Sequence, residues 1–233
     1  INKDIRIGDY VVVRKAGEII PEVVSVNLER RRQNLKPFKM IEKCPICGKE
    51  LSRKNGESSH FCLNEKCDGR IMATLIYFAS RPCMDIEGLG EKMVEDLYEL
   101  NYIKKITDIY YLKNYYNDLI KLDGYGEKSI QTLLDSIEKS KQNSLDRVIT
   151  SLGIRFVGSK VSRILANEFG SLSALQNASF EDLSNIRDIG PSIAASVVSF
   201  MKANNDLIEE LKALGINPVT EKVNKEGLLY SGK

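Results

Sequence analysis

The apolar positions of this chain change period once, and the change divides it. From Ile1 to about Val26 the apolar residues alternate or cluster in β-branched runs: Ile5 and Ile7, then Val11, Val12 and Val13, then Ile19, Ile20, Val23 and Val24. Gly8-Asp9 and Ala16-Gly17-Glu18 punctuate these runs, which predicts three short strands joined by turns. A closed five-stranded barrel needs roughly twice this length, so the segment reads as the tail of a β domain whose first half lies before Ile1. The basic, polar stretch from Glu29 to Lys43 then reads as a linker. Beyond Arg70 the period becomes helical. Ile71, Leu75 and Phe78, and later Met93, Val94, Leu97 and Tyr98, recur at spacings of three and four. Helix, turn, helix is expected from there to about residue 216. From Asn217 to Lys233 periodicity fades, which predicts a linker towards a further domain, and both ends are expected to be cut from a longer chain.

Charge refines this division. The net charge of +2 conceals a gradient: residues 1–43 carry 10 Lys and Arg against 6 Asp and Glu, residues 44–83 carry 6 against 4, and residues 84–233 carry 18 against 22. A basic front suits a polyanion, although an excess of this size is also ordinary for a solvated surface. No apolar run reaches the roughly 18 to 20 residues of a membrane span, and the start INKDIRIGDY has no apolar signal region. A soluble, cytoplasmic chain without a membrane partner is expected.

Five cysteines make an odd number, and four fall into two close pairs, Cys44 with Cys47 and Cys62 with Cys67. A disulfide framework predicts a secreted chain, which the absent signal region argues against. Cys-x2-Cys, fourteen intervening residues and Cys-x4-Cys can instead wrap four thiolates around one Zn(II), with Pro45 and Gly48 supplying the turn of the first knuckle. Four cysteines leave no open coordination position, so the ion is expected to be structural and to supply much of the module's folding free energy. His60, the only histidine, is expected on the surface beside the knuckle, and Cys83 in the core.

Four similar phrases follow: Ile86 to Gly90 (IEGLG), Leu122 to Gly126 (LDGYG), Ile154 to Gly158 (IRFVG) and Ile186 to Gly190 (IRDIG). Their final glycines are 36, 32 and 32 positions apart, the mark of repeated supersecondary units. We number these hairpins I to IV. Each places an apolar residue, a tight turn and a glycine directly before an amphipathic helix. Glycine at positions 88, 90, 124, 126, 158 and 190 lets another backbone approach closely, and the orphan N–H groups of the next helix can donate to a phosphate oxygen. Lys92, Lys128 and Lys160, two residues beyond the final glycine, can add charge to the same phosphate. Such contacts position a duplex without reading its bases. Hairpins III and IV carry Phe156 and Asp188 in place of the first glycine, so hairpins I and II are expected to be the better phosphate grips. A helical repeat that packs only against itself is the competing reading. Lys121-Leu-Asp-Gly124 matches the Lys-x-Asp-Gly motif of nucleotidyltransferases, but it overlaps hairpin II, and a covalent lysine needs a nucleotide pocket where these flanks read as short helices, so no catalytic residue is assigned.

The order of modules and several whole phrases resemble the bacterial NAD-dependent DNA ligases. Asp4 to Asp9 (DIRIGD) and Lys15 to Pro21 (KAGEIIP) are similar to the end of that family's OB domain, and Cys44, Cys47, Cys62 and Cys67 fall where it has a zinc finger. Met84 to Gly90, Gly124 to Ser129 and Leu152 to Gly158 resemble its helix-hairpin-helix signatures. The resemblance implies a multidomain, mainly α chain: the C-terminal part of an OB fold with a basic linker over 1–40, a four-cysteine zinc finger over 41–70, and a helix-hairpin-helix domain over 71–216. A linker over 217–233 then leads to a missing BRCT domain. It further implies a parent enzyme that uses NAD and Mg(II), bound by other domains, to seal nicks in duplex DNA during replication and repair. The expected cofactor in this chain is Zn(II). The expected partners are duplex DNA, nicked duplex in particular, and the missing adenylation, OB and BRCT domains. The work is expected in the bacterial cytoplasm, at the nucleoid, with the fragment binding DNA without sealing it. A stand-alone repair or recombination module is the alternative; it would have no reason to carry the OB phrase from Lys15 to Pro21.

Overall fold

A computed structural model describes residues 3–17, 19–53 and 59–220. The chain is mainly α and divides into two compact units, Ile1–Asn64 and Glu65–Lys233.

The first unit contains two short hairpins. Strands β1 (Val11–Ala16) and β2 (Ile20–Val26) pair antiparallel, with a bulge between Val12 and Val13 and Arg14 directly opposite Glu22, its ion-pair partner. Two strands cannot bury two faces, and Val12 and Ile20 stay 52% and 68% exposed. The expected third strand through Ile5 and Ile7 does not form. That segment is a sequence of turns held by an ionic knot, with Asp4 in the left-handed region at φ 41°. Arg31 donates through Nε and Nη2 to Asp9 at 2.9 and 2.8 Å and through Nη1 to Asp4 at 2.7 Å, while Arg6 donates to the Leu35 carbonyl at 2.7 Å. The predicted linker is therefore fastened to the turns over its first residues, and it opens with a 3-10 turn at Leu28–Arg30 capped by Asn27.

This knot has a pH signature. The Arg6 and Arg31 guanidinium groups hold the Asp4 carboxyl well below the usual carboxylate range, at about 2, and Arg31 lowers Asp9 as well. A depressed carboxylate contributes stability that is complete above its unfolded pKa and lost as pH falls through its folded one. The Asp4–Arg31 contact should persist at pH 4 and disappear as the pH approaches about 2. A carboxyl carbon titration by NMR checks this; an Asp4 midpoint near 4 would contradict the knot.

Further along this unit, β3 (Leu51–Ser52) and β4 (Phe61–Cys62) pair with Leu51 opposite Cys62. They carry the finger described below.

The second unit is a train of short helices: α1 (Asp68–Ala79), α2 (Glu91–Glu99), a 3-10 stretch at Ile106–Tyr115 running into α3 (Tyr116–Leu119), α4 (Glu127–Ser140), α5 (Leu145–Ser151), α6 (Ser159–Phe169), α7 (Leu172–Gln176), α8 (Phe180–Ser184), α9 (Pro191–Ala203) and α10 (Asn205–Ala213). Helices this short are marginal alone, so their stability comes from a shared apolar core. The buried positions have the helical period: Met93, Val94, Leu97 and Tyr98 on α2, and Ile130, Leu133 and Ile137 on α4. Phe78 of α1 meets the Tyr110 ring edge-on at 6.3 Å, and the Tyr110 hydroxyl shares a hydrogen bond with Ser140. Cys83 is fully buried in this core.

The end of the described chain is more ordered than a linker. The Thr220 N–H donates to the Gly170 carbonyl at 2.8 Å, and Val219 bridges Ser171. Gly170 closes α6 at φ 71°, where a Cβ would meet the Thr220 carbonyl oxygen at 3.0 Å, so both conformation and space require glycine. Residues 221–233, the larger part of the predicted linker, lie outside the described residues. No described helix is long and apolar enough to cross a membrane.

Candidate metal centre and nucleic-acid interface

The first cysteine knuckle is built from its own backbone. The Gly48 N–H donates to the Cys44 carbonyl at 2.9 Å and the Cys44 N–H to the Lys49 carbonyl at 2.8 Å, with Gly48 left-handed at φ 70°. This turn puts Cys44 and Cys47 on one side. β4 supplies Cys62, and Cys67 caps α1, its carbonyl accepting from Arg70 and Ile71. The four sulfur atoms lie within 4.8 Å of one another, with Cys47 and Cys62 at 3.6 Å. Tetrahedral Zn–S bonds of about 2.3 Å put sulfurs about 3.8 Å apart, so the donor set and its spacing fit one zinc ion. None of the four is in a disulfide. His60 is not in this cluster, and it is half-buried instead of on the surface: its Nδ1 is enclosed with no partner among the described residues.

The four glycine phrases adopt one backbone conformation. In each, the N–H of the fourth residue donates to the carbonyl of the first: Leu89 to Ile86, Tyr125 to Leu122, Val157 to Ile154 and Ile189 to Ile186, at 3.2, 3.1, 3.0 and 3.1 Å. The third residue is left-handed in all four, with Gly88 at φ 87°, Gly124 at 82°, Phe156 at 67° and Asp188 at 71°. This is the turn that demands positive φ at its third position. Replacing glycine at that position in hairpins III and IV has therefore not changed the shape of the turn, and Asp188 leaves a carboxylate at the tip of hairpin IV. Forcing a bulky residue there costs on the order of 1–3 kcal/mol. Apolar anchors hold it: Ile154 and Val157 are buried on either side of the exposed Arg155 and Phe156.

The final glycines are the N-caps of α2, α4, α6 and α9. Gly90, Gly126, Gly158 and Gly190 all have extended backbone, with φ of −81°, −130°, −96° and −79°, which any residue adopts. A Cβ added at any of the four would meet nothing within 4 Å. Neither conformation nor packing within the described chain explains glycine here, and all four cap residues are exposed.

Charges around these turns are unequal. Lys92, Lys128 and Lys160 stand exposed in the first turn of their helices, as expected. Lys92 pairs with Asp96 at 3.2 Å, and Asp96 also accepts from the Tyr125 hydroxyl of hairpin II at 2.6 Å. The Tyr125 hydroxyl and then Lys92 hold the Asp96 carboxyl below its ordinary value, while burial and Asp96 push Tyr125 up to about 12. Hairpins I and II are thereby tied together. Lys121 is exposed on the turn before hairpin II. The second turn position, which the glycine pattern does not single out, is Glu87 and Asp123 in hairpins I and II but Arg155 and Arg187 in III and IV. The four phrases set in register carry this difference in the sequence itself.

Each module has counterparts among known proteins. Residues 1–35 match the NAD-dependent DNA ligase OB-fold domain, residues 43–68 the NAD-dependent DNA ligase C4 zinc finger domain, and residues 147–208, which contain hairpins III and IV, a helix-hairpin-helix motif. The DNA ligase of Acholeplasma laidlawii is 48% identical over 218 residues, covering 93% of this chain and 33% of the relative. Those of Acetivibrio thermocellus and Macrococcus caseolyticus are 46% identical over 220 and 228 residues, covering 94% and 97% of this chain and 33% and 34% of the relatives. The chain thus spans about a third of the length of the curated relatives it matches.

Proposed function

Since the chain belongs to the NAD-dependent DNA ligase family, as a portion carrying OB-fold, zinc-finger and helix-hairpin-helix segments, we propose that it is the duplex-gripping part of a nick-sealing enzyme. In the parent enzyme NAD supplies the adenylyl group that activates the 5′-phosphate of a nick, with Mg(II) as the metal cofactor. No residue here is assigned to that chemistry. The work of this chain is to hold the duplex. Its setting is the bacterial cytoplasm, on the DNA of the nucleoid.

One observation carries the reading: four exposed helix caps are glycine although nothing in the described chain requires glycine there. A Cβ missing for no internal reason leaves room for an external backbone. The helix N-termini beyond these caps supply N–H donors and positive dipole ends, the chemistry that receives a phosphate. Gly88, Gly90 and Lys92, Gly124, Gly126 and Lys128, Gly158 and Lys160, and Gly190 are the proposed phosphate contacts. The zinc finger closes a four-thiolate shell and takes no part in chemistry. A stand-alone repair module would carry no ligase OB segment, and residues 1–35 match one.

Fluorescence anisotropy with nicked and intact duplexes of unrelated sequence, across a salt series, tests the reading. Binding should be sequence-tolerant. Phosphates neutralised by Lys92, Lys128 and Lys160 give a slope of log K against log salt of about −2.7, and further cationic contacts steepen it. No binding to duplex at low salt would sink the proposal.

A further inference from the structure

Hairpin III carries a feature that phosphate gripping leaves unused. Phe156 occupies a left-handed position, φ 67°, where hairpins I and II have glycine and hairpin IV has aspartate. A large side chain is rare in that conformation and persists when its surroundings hold it there. Here the holding is visible: Ile154 and Val157 are 3% and 4% exposed, so the turn is pinned from both sides and the Phe156 ring, 55% exposed, is turned outward. The Arg155 guanidinium lies over this ring, 4.7 Å from its centroid. A strained aromatic offered to solvent with a cation on its face does nothing for the core.

The charge around it is equally particular. Hairpin I has Glu87 and Glu91 beside Lys92, and hairpin II has Asp123 and Glu127 beside Lys121 and Lys128; hairpin III has Arg155, Lys160 and Arg163 and no acidic residue from Arg147 to Asn167, while Arg147 itself turns to the Arg81 carbonyl and to Asp85. Of the four tips it is the one best suited to a polyanion. Two residues span at most about 7 Å, so a phosphate held at Gly158 and the first turn of α6 leaves Phe156 beside the sugar and base edge of the same nucleotide.

We propose that hairpin III is a wedge: resting on the duplex-binding reading above, Phe156, backed by Arg155, enters the minor groove and inserts against a base step, and the interrupted step of a nick is its preferred seat. Apolar side chains that enter the minor groove unstack base steps at a cost in stacking energy. That cost is smallest where one strand has no continuous backbone to resist the opening. The wedge would therefore make the array prefer nicked to intact duplex, although no base is read by hydrogen bonding.

The experiment uses the whole chain and duplexes with 2-aminopurine beside a nick or at the same position in intact DNA. Wild type should raise the fluorescence of the nicked probe and bind it about tenfold more tightly than the intact one, the size of one stacking contact. Phe156→Gly matches the residue of hairpins I and II, so the fold should survive, as checked by helical circular dichroism and melting. It should bind intact duplex within about threefold of wild type with the same salt slope, and lose both the fluorescence rise and the nick preference. Phe156→Leu, which keeps an apolar wedge, should retain part of both. A Phe156→Gly protein with unchanged rise and preference overturns the wedge, as does equal loss on both duplexes, or a wild type with no nick preference. Failure of wild type to bind any duplex instead overturns the function on which the wedge rests, so the two failures are distinguishable.

Discussion

Replacing Cys62 with serine, or stripping the metal with a chelator, is expected to abolish uptake of one zinc per chain and to unfold the finger, while most of the helical signal survives. Along residues 43–68 the buried residues, among those described, are two of the ligands themselves, Cys44 and Cys67. Ile46, Phe61 and Leu63 stay 60%, 46% and 61% exposed, so no apolar core stands behind the knuckles. Strands β3 and β4 contribute two residues each, too few to hold a hairpin in water. The folding free energy must come from the metal, and structural zinc contributes about 10–16 kcal/mol in small fingers near neutral pH. The helical unit owes nothing comparable to zinc, because its helices bury Leu75, Phe78, Leu97, Leu133 and Leu165 in a core of its own. Elemental analysis, with amide NMR or hydrogen exchange resolved between the finger and the helices, decides the matter. Substoichiometric zinc in wild type, or a Cys62→Ser finger with unchanged protection, would refute it.

The features legible in the sequence are those set by spacing along the chain. The cysteine quartet is one, since a knuckle turn closes within a few residues and its geometry follows from local hydrogen bonds such as Gly48 to Cys44. The helices with strict apolar period are another: Met93, Val94, Leu97 and Tyr98 are all buried on α2. The illegible features depend on partners distant in sequence. Ile5 and Ile7 alternate like a strand, yet Arg31 and Arg6 bind the carboxylates around them into turns, and Arg31 looks like one basic residue of a solvated run. The 3-10 stretch at Ile106–Tyr115 has buried residues at Ile106, Thr107, Ile109, Tyr110 and Leu112, a spacing that no single α-helical face would show. In the hairpins, the sequence pattern points to glycine as the cause of the turn. Phe156 and Asp188 show that the turn is set by its i to i+3 hydrogen bond and its apolar anchors, with glycine lowering the cost.

That distinction separates the two glycines of each phrase and leads to a test of the interface. The first glycine of hairpins I and II is conformational: at Gly88, φ is 87° and a Cβ would lie 3.4 Å from Leu133, so substitution there would confound strain with lost binding. The cap glycine is the informative position, because its extended backbone suits any residue and the space around its absent Cβ is empty of protein. Serine at a helix N-cap is at least as favourable as glycine, since its hydroxyl oxygen accepts from the first turn, and it narrows the unfolded ensemble. Gly158→Ser and Gly190→Ser should therefore leave the melting temperature unchanged or slightly raised. The same hydroxyl stands where a phosphate oxygen would approach and competes for the same N–H donors. Each serine should weaken duplex binding at least about tenfold, since a hydrogen bond to a charged group contributes about 1.5–3 kcal/mol. Glutamate adds a like charge facing the phosphate, so Gly90→Glu, Gly126→Glu, Gly158→Glu and Gly190→Glu should each lower affinity further, by about a hundredfold, with helicity intact. Melting and anisotropy measured on the same variants separate the outcomes: serine variants that are stable and bind as tightly as wild type would mean that no backbone approaches these caps. The glycines would then have no role that the fold or the duplex explains.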